Sequence, residues 1–90
     1  MHHYAITVKE NGTQREDAKT LVFETDLHDD LFAIMEKMRA GNVAPEEDIP
    51  GLALGLKLFG GALKKRADHP AFAALGPHFG AFMKALKKTS

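Results

Sequence analysis

Apolar residues recur along this chain first at a period of two and then at intervals of three and four, and that change divides it into strands and helices. In residues 2–9, Tyr4, Ile6 and Val8 alternate with His3, Ala5 and Thr7, which predicts a half-buried strand. The polar stretch from Glu10 to Asp17 carries an Asn11-Gly12 turn signal inside a loop longer than two residues. Residues 18–25 predict the returning strand, with Leu21 and Phe23 on one face and Thr20, Val22 and Glu24 on the other. Two strands alone are marginal in water, so this hairpin needs a cover, and its open edges invite a second copy.

Helical spacing takes over near Asp26. If His28 caps the first helix, Leu27 and Phe32 form a hydrophobic staple; if Asp26 caps it, Asp29 sits three residues on. Asp29 and Asp30 face the positive end of the helix dipole in either case. Leu31, Ile34, Met35 and Met38 form its buried stripe, and Gly41 is the expected left-handed terminator. After an acidic loop ending in Glu46, Glu47 and Asp48 comes the longest apolar run, 49–66, reading IPGLALGLKLFGGALKKR. Pro50 suits a first helical position. Leu52, Leu56, Phe59 and Leu63 share one face, with Gly51, Gly55, Leu58 and Ala62 beside it, so this central helix is expected to have neighbours on two sides. Its interior glycines each cost about 1 kcal/mol relative to alanine, which predicts close backbone approach along Gly51 and Gly55 and a kink at Gly60-Gly61. Pro70 opens a short helix that Gly76-Pro77 is expected to stop, and a last helix begins near Pro77 with Phe79, Phe82, Met83 and Leu86 as its stripe. The expected fold is α+β: a two-stranded antiparallel hairpin packed on three helices, ββααα, one of them short.

Ninety residues make one domain, 1–90, which at this size buries roughly 60–65% of its unfolded surface and gains from a partner subunit. The absence of cysteine excludes disulfides, thiolate metal sites and thiol nucleophiles, and fits a reducing cytoplasm. Met1-His2-His3-Tyr4 has neither the basic nor the apolar region of a secretory leader, so none is expected. Net charge is zero but lopsided: residues 1–50 hold five basic against eleven acidic side chains (−6), and residues 51–90 hold seven against one (+6). Acidic and basic elements are therefore expected to face each other within the fold or across a dimer.

Candidate chemistry is sparse. Consecutive helical residues point about 100° apart, so His28-Asp29-Asp30 serves capping and the dipole better than a metal. His2 and His3 project from opposite faces of a strand. His69 and His78 flank the short third helix and are the metal candidates, although no third ligand is identified. The only serine is Ser90, and no base motif accompanies the threonines. The glycine-rich stretch around Gly60 lacks the Gly-Lys-Ser/Thr ending of a phosphate-binding loop, and residues 46–48 lack the ligand spacing of a calcium loop. Lys64, Lys65, Arg66, Lys84, Lys87 and Lys88 could contact phosphates in a sequence-blind way, but no helix presents Arg, Asn or Gln to read bases, and a single Tyr without Trp offers little for stacking. The central run is too short to span a bilayer.

The strand opening YAITV, the helix start HDDLFAI, the centre GLKLFG and the ending FMKALK resemble a family of short bacterial proteins classed only as a domain of unknown function. The resemblance spans essentially the whole chain and implies a complete small protein in a bacterial cytoplasm; it carries no activity, substrate, cofactor or catalytic residue. The expected function is that of a homodimeric protein-interaction module with no catalysis and no cofactor. Its shared surface would draw on Tyr4, Ile6 and Val8, on Leu21 and Phe23, or on the Gly51, Gly55 and Ala62 row. The alternatives are an accessory nucleic-acid binder using the basic clusters and a metal-dependent or small-molecule enzyme near His69 and His78.

Overall fold

The computed structural model describes residues 1–11 and 18–89. The turn at Asn11-Gly12 and the loop to Asp17 fall largely outside them. Strand β1 (His2–Lys9) pairs antiparallel with β2 (Thr20–Leu27), in a register that sets His3 opposite Asp26, Ile6 opposite Phe23 and Val8 opposite Leu21. The second strand runs two residues later than its alternation suggests. Asp26, hydrogen-bonded to His3 across the ladder, and Leu27, buried, both belong to the sheet. That removes Leu27 and Asp26 from the helix start.

Helix α1 (Leu31–Ala40) is instead capped by Asp30, whose carboxylate accepts from the amides of Phe32 (3.0 Å) and Ala33 (3.3 Å). The Leu31 amide donates to the Tyr4 hydroxyl at 2.8 Å, and the Ile34 amide donates to the Asp30 carbonyl at 3.1 Å. Three of the amides that a helix start leaves without partners are therefore satisfied, one of them by the sheet, and the Ile34 bond begins the helical ladder. Phe32, with no staple to complete, lies 65% exposed. At the other end the left-handed residue is Asn42 (φ 51°), one position beyond Gly41. Its amide donates to Arg39 O and the next, of Val43, donates to Met38 O, both at 3.2 Å, which closes a Schellman motif. Asparagine tolerates that conformation because its short polar side chain bonds locally.

A single 3-10 turn, Glu46–Asp48, runs straight into α2 (Ile49–Lys65), which carries Pro50 in its first turn as expected. The core gathers Leu31 and Met38 of α1 with Ile49 and Ala53 of α2, and Tyr4, Val43, Leu52 and Leu56 pack around them. Ile49 and Ala53 are wholly inaccessible. The inward line of α2 runs through Ile49, Ala53, Leu56, Gly60 and Leu63, rotated by about 50° from the row that its bulky residues suggest. Phe59 falls at the edge and is 40% exposed. Close approach occurs at Gly60, where an added Cβ would stand 3.4 Å from the Phe79 ring; Gly51, Gly55 and Gly61 have nothing within 4 Å. The expected close packing along Gly51 and Gly55 is thus absent within the protomer, and α2 continues through Gly60-Gly61.

Helix α3 (Pro70–Thr89) is continuous, and the stop expected at Gly76-Pro77 does not occur. Two local features reduce its cost. Gly76 has no Cβ to collide with the proline ring, and Pro77 and Ala73 are exposed, so the Ala73 carbonyl deprived of its donor can bond water. The order ββααα stands, with α1, at ten residues, the shortest helix.

Candidate interaction surface

The radius of gyration is 15.4 Å, against about 12 Å for a compact 90-residue domain. The accessible surface is 7003 Å², whereas a compact monomer of this mass exposes about 5,200 Å². Roughly 1,800 Å² more than expected is therefore open.

Part of the looseness lies at the far end of the hairpin, where Val8, Leu21 and Val22 are 56–60% exposed, and part in α3. None of its described residues is buried. Its half-buried positions are Phe72, Gly76, Phe79, Met83 and Leu86, spaced four, three, four and three, a seam turned toward the protomer's other helices. Phe79 meets Phe59 edge-on at 5.7 Å between ring centres, and Phe82 follows at 6.5 Å. His69 caps this helix, its Nδ1 accepting from the Ala71 amide at 3.2 Å and its carbonyl from the Ala73 amide at 2.8 Å.

Toward its C-terminal end α3 leaves a groove of about 580 Å³ against α1 and α2. Ile34, Met38, Leu56 and Leu86 give it an apolar floor, and Asp29, Lys37, Lys57 and Lys87 stand along it. Lys57 Nζ donates to Asp29 Oδ2 at 2.8 Å, joining the acidic half of the sequence to the basic half. That hydrogen bond, reinforced by the ammonium charge, holds the Asp29 carboxyl below its ordinary range. Arg39 donates to Glu36 and, at 2.7 Å, to Glu46, fastening α1 to the acidic turn.

The residues singled out from the sequence divide sharply. His69 and His78 ride on one continuous helix about 13 Å apart along its axis, so they cannot share an ion within one chain. Lys64, Lys65 and Arg66 end α2, while Lys84, Lys87 and Lys88 end α3, roughly 25 Å further along, so the two basic clusters do not merge into one patch. Among the proposed surface residues, Ile6 is buried and Tyr4 and Phe23 are half-buried, because the hairpin spends that face on its own core. Val8, Leu21, Gly51, Gly55 and Ala62 are exposed. The sequence reading missed the outward side of α3. The signal for it, a second four-three spacing of uncharged residues, was hidden by placing a break at Pro77.

No helix among the described residues is long and apolar enough to cross a membrane. No curated protein matches the chain. A solved structure with TM-score 0.84 and 39% identity over 97% of both chains is the crystal structure, at 2.20 Å, of a protein of unknown function from Pectobacterium atrosepticum. The resemblance carried by YAITV, HDDLFAI, GLKLFG and FMKALK is matched by a family model over residues 2–88, and the chain belongs to that family, DUF3861, a domain of unknown function with a solved structure.

Proposed function

We propose that this protein works as a homodimeric protein-interaction module in the cytoplasm, without catalytic chemistry of its own. The observation that carries the reading is the roughly 1,800 Å² of surface beyond that of a compact monomer. A standard interface removes about 800 Å² per partner and obligate dimers remove more, so a second copy accounts for the excess naturally. The side chains best suited to chemistry are engaged in structure: the Tyr4 hydroxyl, the Asp30 carboxylate and the His69 ring each satisfy a helix start, and Asp29 bridges to Lys57. Multi-angle light scattering on the purified chain at tens of micromolar tests this directly. The expected mass is twice the 9.8 kDa of one chain, and a strict monomer rejects the reading.

A second reading rests on the cations. Lys64, Lys65, Arg66, Lys84 and Lys88 form no ion pair with a described residue and are free to meet phosphates. Fluorescence anisotropy with a labelled oligonucleotide should then show binding at low salt that weakens steeply as salt rises; no binding at low salt eliminates it.

A further inference from the structure

A helix that belongs wholly to its own domain turns charges outward. Helix α3 departs from this rule from Pro70 to Met83, where no residue carries a fixed charge. Beside its half-buried inner seam runs an outer line, Ala71, Leu75, His78, Phe82 and Ala85, again spaced four, three, four and three. All five are exposed, Leu75 by 37% and Phe82 by 46%, and none carries a fixed charge. The lysines near the helix end, Lys84, Lys87 and Lys88, lie off this line.

We infer that this outer line is the surface on which a second copy of the chain docks, α3 against α3, antiparallel about a two-fold axis at His78. The inference rests on the homodimer proposed above and names its interface. Four-three spacing is the seam along which two helices pack knobs into holes. Alanines at both ends allow close approach, and Leu75 and Phe82 supply the knobs. The line is self-complementary, as an isologous contact requires: with His78 on the axis, Ala71 of one copy faces Ala85 of the other, and Leu75 lies next to Phe82. Charge selects the antiparallel direction. Asp68, the only acidic residue in 51–90, falls opposite Lys88 of the second copy, whereas a parallel pair would bring the two lysine-rich ends together. A second copy is the occupant because this pairing sets opposite charges against each other at both ends, and the protomer's excess of roughly 1,800 Å², spread over hairpin and helices, leaves room for a dimer contact.

The test compares three proteins by sedimentation equilibrium: the unaltered chain, Leu75→Glu/Phe82→Glu, and Val8→Glu/Leu21→Glu on the exposed end of the hairpin. Far-UV circular dichroism verifies that each is folded, and all four positions are exposed enough to accept the change. The α3 variant should lose the dimer, its dissociation constant rising at least about 30-fold, while the hairpin variant keeps it. A dimeric unaltered chain whose α3 variant is equally dimeric overturns this interface and leaves the homodimer standing. A monomeric unaltered chain overturns both. Direction is read separately. In this cysteine-free chain, His78→Cys should give a covalent dimer on mild oxidation and Lys88→Cys should not, the two copies of position 88 lying about 30 Å apart. Failure at 78, or equal cross-linking at both, contradicts the antiparallel pairing.

Discussion

The two ends of this molecule satisfy their chemistry in opposite ways. Around α1 every local requirement is met inside the protomer. The first four amides have partners, the last turn closes in a Schellman motif through Asn42, and Leu31 and Met38 pack on Ile49 and Ala53. Helix α3 is twice as long and has not one buried position among its described residues. Both helices carry clean four-three patterns, so the contrast is not one of helix-forming capacity. It lies in how far the apolar side is covered: buried on the protomer's core in one case, only half-buried in the other, with Leu75 and Phe82 left open beside it. The N-terminal region and the start of α2 therefore carry the fold, and α3 presents a surface.

The largest expected effect separates these regions directly. Ile49→Ala removes wholly buried methyl groups and should cost about 2–5 kcal/mol in urea unfolding, at any protein concentration. Phe82→Ala should cost stability only where the dimer is populated, so its effect on the melting temperature should shrink on dilution. If it costs as much as Ile49→Ala in dilute protein, α3 belongs to the core after all.

Tyr4→Phe isolates the tie between the sheet and α1. It keeps the ring and leaves the Leu31 amide without its acceptor, for an expected loss of about 1 kcal/mol in the same unfolding assay. A neutral result would show that water replaces the hydroxyl at no cost.

Gly55→Ala should act in the other direction. Its Cβ would meet nothing within 4 Å, so the substitution should stabilise α2 by about 0.5–1 kcal/mol and leave the mass of the dimer unchanged. Loss of the dimer would move the interface to the Gly51, Gly55 and Ala62 row.

The smallest effect belongs to Asp29→Asn. Its carboxyl is held below the ordinary range by Lys57, so the pair adds stability above the unfolded carboxylate pKa and loses it as the pH falls through the lowered folded value. Being exposed, the pair is worth less than about 1 kcal/mol. The difference between the two proteins should be present at neutral pH and vanish in acid, measured by urea unfolding across that range. A difference that grows in acid would contradict the assignment.

The same contrast explains what the sequence revealed. Strand β1 and the stripe of α1 were legible because alternation and four-three spacing reflect burial on one face. The direction of α2 was misjudged because the small residues Ala53 and Gly60, which lie on its inward line, weigh little beside Phe59. The cap fell on Asp30 because β2 keeps pairing through Leu27, a tertiary preference that local capping rules do not see. Pro77 was taken as a stop because proline usually is one; an exposed position and a preceding glycine made it tolerable. The interaction surface was sought on the hairpin, because two strands look incomplete, and on the Gly51, Gly55 and Ala62 row; of the hairpin residues Ile6 is covered, whereas Val8 and Leu21 stay exposed.

Backbone hydrogen exchange compares the two regions in one experiment. If a second copy closes the outer side of α3, amides from 72 to 86 should be protected to within about tenfold of those in α2 at high protein concentration, and their protection should fall on dilution while that of α2 falls far less. Fast exchange throughout α3 that ignores concentration would contradict the account.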